Sequence, residues 1–235
     1  MTIFAAWQQL ASPQVTIAMA SMGFDWIVVD LEHSSITTQE AEAIFIAAER
    51  QNAKPFVRLP SADPYLARRI LDAGAAGLFV PVVESRKTFD DFAEHCFFPP
   101  KGRRGLGLTR ANSWGKNLKD YFEVFKPTII AQIETKKGAE NIADIVSSAF
   151  LDGIMIGPYD LSATLGTPGQ FDDKVFKNIC ASVRVAARNN KKMIGYHQVE
   201  PNSQILQKRI EERYDFIAYG TDIVALRYSL EGIRK

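Results

Sequence analysis

The amino-acid sequence predicts a single (β/α)8 barrel, the TIM-barrel fold, over residues 1–235. Two observations predict it: short apolar segments alternate with longer segments of helical periodicity along the chain, and eight such pairs can be assigned. Parallel strands that are buried on both faces appear as continuous apolar runs, and each needs a helical crossover. An open doubly wound sheet has the same alternation, but its first turn normally carries a G-x-G-x-x-G motif, which does not follow the first strand here.

The first four predicted strands are each followed by a helix. Ser12 and Pro13 suit an N-cap and the first helical position, and Gly23 and Gly74 follow the ends of the first and third helices. Apolar residues at helical spacing mark the second helix. The strands are predicted at 3–7, 25–30, 55–60 and 77–83, and their helices at 13–22, 38–52, 63–72 and 88–94.

Residues 97–117, which are rich in Gly, Pro and Arg, interrupt the alternation after the fourth strand and helix. A long segment of this kind in a compact domain is usually functional. It does not lead into a helix as a phosphate-binding P-loop does, so we expect a lid or a subunit contact. The remaining strands are predicted at 129–133, 153–156, 192–196 and 215–219, and the helices at 118–125, 139–147, 173–189, 203–212 and 223–233.

Composition argues against several classes of partner. Lys and Arg number 28 and Asp and Glu number 27, so the chain has no basic excess that would select nucleic acid or an anionic membrane. Cys96 and Cys180 form no C-x-x-C motif, which suits a reducing compartment. The amino terminus has no basic region of the signal-peptide type, and no run of apolar residues is long enough to span a bilayer. We therefore expect a cytoplasmic protein without nucleic-acid or membrane partners.

Two acidic residues follow neighbouring predicted strands. Glu134 comes directly after the fifth strand and Asp160 shortly after the sixth. Because the carboxyl ends of barrel strands form the active face, both carboxylates should lie in one mouth. An oxygen-only ligand set suits a hard divalent cation such as Mg²⁺ or Mn²⁺. The alternative is that each carboxylate caps the following helix or pairs with a surface lysine.

A basic residue and a histidine are predicted at the same face. Arg58 ends the apolar third strand, where an unpaired guanidinium would be costly, so it needs an anion. That anion is either a substrate carboxylate or enolate oxygen, or an ion-pair partner such as Glu134 or Asp30. His33 follows the second strand, and the ordinary pKa of histidine suits proton transfer near neutral pH. A solvated loop histidine is the alternative.

Gly157 and Pro158 form a turn whose backbone amides could face a bound carboxylate, beside a helix amino terminus. The two other histidines, His95 and His197, have no supporting pattern. Positions at a helix end and at the barrel rim, respectively, account for them. We therefore leave both out of the candidate site.

Several motifs occur in one order along most of the chain. They are Asp30-Leu31-Glu32-His33, Val57-Arg58-Leu59-Pro60, Leu71-Asp72-Ala73-Gly74, Pro99-Pro100-Lys101-Gly102-Arg103-Arg104-Gly105, Gln132-Ile133-Glu134-Thr135 and Gly157-Pro158-Tyr159-Asp160-Leu161-Ser162. In these motifs the chain resembles the class II, metal-dependent pyruvate aldolases of the HpcH/HpaI family, which include 4-hydroxy-2-oxoheptanedioate and 2-dehydro-3-deoxyglucarate aldolases.

The resemblance implies a role for each matched residue. Glu134 and Asp160 would bind the divalent metal, with Mg²⁺ or Mn²⁺ expected and Co²⁺ also possible. His33 would transfer a proton through a water molecule. The residues implied for substrate binding are Arg58, Gln132, Gly157, Pro158 and Tyr159. The family usually has a small residue where Tyr159 stands, which leaves three alternatives for this side chain: it fills the aldehyde pocket, bonds a substrate hydroxyl, or points outward.

The resemblance also implies an aspartate partner for His33, and Asp72 occupies the matching position. The third helix places Asp72 on the side of the barrel opposite the mouth, so we do not expect Asp72 to contact His33 within one chain. Either Asp72 reaches the site of a neighbouring subunit, or it forms a helix-end salt bridge and Asp30 orients His33 instead. We favour the first alternative, which requires a homo-oligomer; the family suggests a trimer or a hexamer.

The implied reaction is the reversible cleavage of a 4-hydroxy-2-oxo acid, of the 2-keto-3-deoxy sugar acid type, to pyruvate and an aldehyde. Decarboxylation of oxaloacetate at the same site is an alternative activity, and a keto-acid-binding barrel without aldolase activity is an alternative function. A Schiff-base aldolase is disfavoured because Lys54 and Lys192 precede their strands and belong at the inactive face.

Overall fold

The computed structural model describes residues 2–233 and contains a closed barrel of parallel strands in sequence order, which confirms the predicted (β/α)8 fold. Met1, Arg234 and Lys235, the ends of the predicted 1–235 domain, lie outside the described residues. The strands are β1 (Ile3–Gln8), β2 (Trp26–Asp30), β3 (Lys54–Arg58), β4 (Gly77–Val80), β5 (Thr128–Ile133), β6 (Gly153–Ile156), β7 (Met193–Gln198) and β8 (Phe216–Thr221).

The helices surround the barrel, and several begin with the predicted caps. Ser12 accepts a hydrogen bond from the Val15 amide ahead of the first helix, and Asp63 accepts two amide hydrogen bonds ahead of the third. The helices are α1 (Pro13–Ser21), α2 (Thr38–Arg50), α3 (Pro64–Asp72), α4 (Arg86–Ala93), α5 (Leu118–Val124), α6 (Lys136–Glu140), α7 (Ile142–Ile145), α8 (Pro158–Thr164), α9 (Lys174–Asn189), α10 (Ser203–Glu211) and α11 (Asp222–Ser229). None of the helices within residues 2–233 has the length and apolarity needed to cross a membrane.

Several elements differ from those predicted, and three of the differences lie beside the mouth or in the following loops and helices. The fourth strand ends at Val80 rather than at residue 83, because Pro81 has no amide hydrogen to continue the ladder and Val82 has a φ of 52°. The helix predicted at 139–147 is two short helices, α6 and α7, which meet at Asn141. The loop predicted after β6 contains the helix α8, which begins at Pro158.

The segment 97–117 does not lie over the mouth of the barrel. It follows α4, so it begins at the amino-terminal side of the strands, and it contains a 3-10 segment at Arg110–Gly115. Arg104 pairs there with Asp72 at the end of α3, and Arg110 pairs with Glu49 near the end of α2. These contacts do not support a lid over the mouth of its own barrel, and the subunit contact stays a prediction.

The interior of the barrel is filled by inward-facing side chains in layers, as in other barrels of this type. Aromatic rings dominate below the mouth: Trp26 stacks on Phe56, with ring centroids 4.2 Å apart, and Phe79 and Phe216 meet them edge-on or tilted. The uppermost layer comes from the odd-numbered strands and consists of Trp7, Arg58, Gln132 and His197. A polar layer therefore lies directly on an apolar, tightly packed interior.

Gly195 on β7 has a packing role, because a Cβ atom at this position would lie 2.0 Å from the Phe216 ring. We expect Gly195→Ala to lower the free energy of unfolding by about 1–3 kcal/mol, since overpacking forces the ring or the backbone to shift. Urea denaturation followed by circular dichroism measures the change.

Gly105→Ala is the matched control, because its added Cβ would have only Arg68 nearby, at 3.6 Å. Shortening the obstructing ring by Phe216→Leu in the Gly195→Ala background should recover part of the loss. Equal stabilities for Gly195→Ala and the wild-type protein would contradict the packing argument.

Candidate active site

A pocket of about 190 Å³ opens at the carboxyl ends of the strands. It collects every site residue predicted from the sequence except Asp72. Its lining residues are Trp7, Gln9, His33, Arg58, Gln132, Glu134, Gly157, Pro158, Tyr159, Asp160, His197, Val199, Thr221 and Val224. Polar side chains from distant parts of the chain thus meet in one cavity, as expected for a binding or catalytic site.

The last residues of β2 and β3, Asp30 and Arg58, are register partners and form a buried ion pair. The Arg58 Nε donates to Asp30 Oδ1 at 2.9 Å and Nη2 donates to Oδ2 at 2.5 Å. Of the two alternatives for Arg58, the ion pair with Asp30 is therefore present. The guanidinium nevertheless borders the pocket, where Nη1 lies 3.1 Å from a carboxylate oxygen of Glu32.

Asp30 is fully buried, and burial alone would raise the pKa of its carboxyl group. Hydrogen bonds from Arg58, the charge of Arg58, and hydrogen bonds from Gln9 and the His33 amide outweigh burial and lower this pKa to about 2. Asp30 is therefore ionised at neutral pH. Its oxygens hold both the guanidinium and the backbone of the loop that carries His33.

Glu134 follows β5 directly and is 4% exposed. Its Oε1 accepts the Val82 amide hydrogen at 2.7 Å and its Oε2 accepts a hydrogen bond from Gln132 Nε2 at 2.8 Å. Burial and the nearby Asp160 charge raise the pKa of Glu134. The backbone of Gly157 passes so close that a Cβ atom there would lie 2.8 Å from Glu134 Oε2, so this position requires glycine.

Asp160 lies in the first turn of α8, and its exposed carboxylate borders the same pocket as Glu134. Gln132 adds a buried side-chain oxygen, Oε1, that has no hydrogen-bond partner. This set of oxygen donors fits a hard divalent cation. Within residues 2–233 no group of three or more His, Cys, Asp or Glu side chains could hold a metal ion, so water and substrate would supply the remaining ligands.

His33 lies in the loop after β2, and its side chain is 61% exposed. The imidazole Nε2 lies 3.7 Å from Glu32 Oε2. Asp30 accepts a hydrogen bond from the backbone amide of His33 at 3.2 Å. Asp30 therefore fixes the loop that carries the histidine, and Glu32 is the carboxylate beside the imidazole ring.

Asp72, the last residue of α3, is not part of the pocket. Arg104 Nη2 donates to its Oδ1 at 2.6 Å, and the same Nη2 atom donates to the Tyr121 hydroxyl at 3.1 Å. The helix-end salt bridge is thus present within the chain. A contact between Asp72 and the site of another subunit stays a prediction.

Tyr159 lies at the rim of the pocket and is 41% exposed. Its hydroxyl donates a hydrogen bond to the Glu200 carboxylate, and its ring meets Phe171 edge-on, with centroids 5.1 Å apart. Burial, the hydrogen bond and the Glu200 charge raise the pKa of Tyr159 to about 12, so the hydroxyl stays protonated at neutral pH. Tyr159 therefore borders the pocket while its polar end points away from the carboxylate pair.

His197 is a pocket residue that the sequence analysis left out as a rim residue. The strand predicted to end at Tyr196 continues to Gln198, which places the imidazole inside the barrel at 8% exposure. Its ring lies on the Trp7 indole, with centroids 4.3 Å apart. The sequence contained a signal for this placement. Side chains that face the barrel interior alternate along a strand, so an inward position at Gly195 implies that the next inward position is His197.

The chain belongs to the HpcH/HpaI aldolase/citrate lyase family, whose model matches residues 4–228. This membership agrees with the barrel fold and with the resemblance found in the sequence motifs.

Individual relatives support the same assignment. A hydroxypyruvate/pyruvate aldolase from Roseovarius nubinhibens is 32% identical over 194 residues, which cover 79% of this chain and 75% of the relative. A 5-keto-4-deoxy-D-glucarate aldolase from Salmonella paratyphi C is 31% identical over 228 residues, covering 96% of this chain and 88% of the relative. The crystal structure of an HpcH/HpaI aldolase/citrate lyase family protein from Burkholderia cenocepacia superposes with a TM-score of 0.91 and 26% identity, over 100% of this chain and 95% of that chain.

The buried ion pair generates a test of stability against pH. We expect Asp30→Asn to lower the free energy of unfolding by about 3 kcal/mol at neutral pH, because it leaves a buried guanidinium short of a partner. The pKa of Asp30 is lowered, so its stabilising effect is complete above the ordinary value of 3.8 and is lost as the pH falls toward about 2. Urea denaturation of both proteins between pH 7 and pH 2.5 measures the difference.

Asp91→Asn is the control, because this exposed aspartate pairs only with Lys87 on the same helix and should change stability by less than about 1 kcal/mol. A difference between Asp30→Asn and wild type that stays constant down to pH 2.5 would show that the Asp30 charge is not its cause.

Proposed function

We propose that the protein is a divalent-metal-dependent class II aldolase that reversibly cleaves a 4-hydroxy-2-oxo acid to pyruvate and an aldehyde. The observation that carries this proposal is the convergence of Glu134, Asp160, Arg58 and Gln132 on one pocket with His33 at its edge. The relatives named as aldolases support the same reaction class. The proposal places the protein in the cytoplasm as a homo-oligomer.

Glu134 and Asp160 would hold the metal ion, with Mg²⁺ or Mn²⁺ the expected occupants and Co²⁺ a possible one. When bound, the ion supplies Lewis-acid stabilisation of the negative charge that develops on the keto-acid oxygen as the carbon–carbon bond breaks. Gln132 donates to Glu134 and so fixes the orientation of this carboxylate. Its unpartnered Oε1 is available to a further ligand.

Arg58 would bind the carboxylate or the developing enolate oxygen of the keto acid. Two of its donors are fixed by Asp30, so the guanidinium is oriented before the substrate arrives. A preoriented cation stabilises developing charge without the cost of reorganisation during the reaction. A buried apolar layer, mostly aromatic, lies below the pocket.

His33 would move the proton. Its imidazole is largely exposed at the edge of the pocket, so a water molecule can lie between it and the substrate. In the cleavage direction the imidazole would accept the proton of the C4 hydroxyl through that water. In the condensation direction it would return the proton to the oxygen. The Gly157–Pro158 turn and Tyr159 border the pocket on the α8 side, where they would contact the substrate.

Decarboxylation of oxaloacetate is the second candidate activity. The volume of the pocket, about 190 Å³, admits a four-carbon keto acid, but Arg58 is the one Lys or Arg side chain among the described lining residues that could pair with its two carboxylates. A Schiff-base mechanism has less support, because no lysine is among the described residues that line the pocket. Lys192 instead donates to the Ser148 and Leu151 carbonyls at the start of β7.

The metal requirement can be tested at Glu134. We expect Glu134→Gln, or removal of divalent ions with a chelator, to abolish aldol cleavage, because either change removes the negative oxygen donors or the ion itself. Turnover assays with added Mg²⁺ or Mn²⁺, together with Mn²⁺ titration by electron paramagnetic resonance, measure activity and metal binding.

Glu140→Gln is the control, since this exposed glutamate on α6 pairs only with Lys136 and should leave both measurements unchanged. Circular dichroism verifies that each variant folds. Full activity in metal-free wild-type protein would rule out the proposed metal role.

The proposed contact of Asp72 with another subunit can be tested by subunit complementation. We expect His33→Ala and Asp72→Ala proteins to be inactive separately and to regain activity when they are mixed under conditions that exchange subunits, because some interfaces would then contain an intact His33 and Asp72. Activity and oligomeric state are measured before and after mixing. Full activity of Asp72→Ala alone would instead restrict Asp72 to its salt bridge with Arg104.

A further inference from the structure

The polar layer at the mouth contains three buried side-chain atoms without a hydrogen-bond partner. They are the Trp7 Nε1, the Gln132 Oε1 and the His197 Nε2. A buried polar atom left unpaired loses its hydrogen bonds to water without replacement, so such atoms are rare in folded proteins. Their concentration in one layer that lines a pocket indicates that a ligand completes their hydrogen bonds.

The proposed function accounts for Gln132, which lies beside the carboxylate pair. It does not account for Trp7 and His197. These two side chains come from β1 and β7, the neighbours of β8 in the closed ring. In the same ring, β7 is opposite β3, which carries Arg58. Trp7 and His197 therefore form a wall of the pocket that is separate from the carboxylates on the β5 and β6 side.

The wall formed by Trp7 and His197 is uncharged. Burial and the nearby Arg58 charge lower the pKa of His197 to about 3, so its imidazole is neutral at physiological pH. A neutral imidazole donates one hydrogen bond and accepts one, and an indole donates one. Val199 and Val224 are the apolar residues next to this wall.

The pocket has little capacity for a second anionic group. Arg58 is the one Lys or Arg side chain among the described lining residues, and it already pairs with Asp30 and lies beside Glu32. The volume of the pocket is below the roughly 300–1,000 Å³ of sites for drug-sized ligands. A short, uncharged aldehyde with a hydroxyl group fits both limits.

We propose that His197, whose ring packs against Trp7, determines substrate specificity by hydrogen-bonding an uncharged hydroxyl group on the aldehyde half of the substrate. This inference rests on the proposed aldolase function and names its acceptor class: short hydroxyaldehydes, in preference to aldehydes that lack the hydroxyl or carry a carboxylate. The hydroxyl takes the place of the missing partner of the buried ring nitrogen.

The test compares three two-carbon aldehydes in condensation with pyruvate and Mg²⁺: glycolaldehyde, acetaldehyde and glyoxylate. We expect the wild-type protein to prefer glycolaldehyde by kcat/KM over both others. In His197→Leu the preference for glycolaldehyde over acetaldehyde should fall by about tenfold, since one hydrogen bond of roughly 1.4 kcal/mol is lost. His197→Gln retains donors and acceptors and should keep part of the preference.

Val199→Ala is the matched control, because it alters the apolar surface next to this wall without removing a polar group. Its ratio of glycolaldehyde to acetaldehyde kcat/KM should stay near that of the wild type. If the role of His197 were purely structural, its replacement would lower kcat/KM for both aldehydes alike and leave their ratio unchanged. An unchanged ratio in both His197 variants, or a wild-type preference for glyoxylate or acetaldehyde, overturns the inference.

A separate measurement distinguishes failure of the inference from failure of the proposed function. Exchange of the pyruvate methyl protons with D₂O, followed by NMR with Mg²⁺ and no aldehyde, reports enolate formation in the wild-type protein. Absence of exchange overturns the proposed function and with it the inference. Exchange with an unchanged aldehyde ratio, or exchange without condensation with any of the three aldehydes, overturns the inference alone.

Discussion

The buried ion pair between Asp30 and Arg58 is the interaction on which the arrangement of the pocket depends. The Asp30 carboxylate accepts hydrogen bonds from the Arg58 guanidinium and from the backbone amides of Glu32 and His33. One side chain therefore fixes the position of both the guanidinium and the loop that carries His33. The desolvation cost of a buried ion pair often cancels its attraction, so such a pair is poor evidence for stability. Its value here is orientation: Arg58 and His33 cannot shift independently while Asp30 holds both.

The barrel interior makes that orientation effective. Below the polar layer, the rings of Trp26, Phe56, Phe79 and Phe216 fill the barrel. Glycines on neighbouring strands leave the room they need, as Gly195 does for Phe216 and Gly77 does for Phe56. Charges next to a tightly packed apolar layer interact more strongly than charges in water. The side chains that carry them also have little freedom to move away from a substrate. The apolar core therefore contributes to the chemistry that the polar layer can perform.

The sequence predicts the barrel and most of the pocket because both depend on local patterns. Apolar runs mark the strands, and residues such as Arg58, Glu134 and Asp160 follow strand ends that must converge at one face. The sequence does not predict contacts that depend on packing between distant elements. The pairing of Asp72 with Arg104 and the turn of Tyr159 toward Glu200 are of this kind. His197 was missed because β7 was predicted to end at Tyr196, two residues before its observed end at Gln198.

The β5 and β6 side of the mouth carries two carboxylates, whereas the β7 and β1 side is uncharged. Electrostatics gives a reason for this difference. Under the proposed function Glu134 and Asp160 hold a divalent ion, and a protein cation that neutralised these carboxylates would weaken its binding. A lysine or arginine on the β7 and β1 side of so small a cavity would pair with these carboxylates and compete with the metal. Under the proposed function, this favours neutral hydrogen-bonding groups on that side, and an imidazole with a low pKa packed against an indole meets the requirement. Under the proposed function, the carboxylate pair thus constrains both the metal and the groups that can face the other half of the substrate.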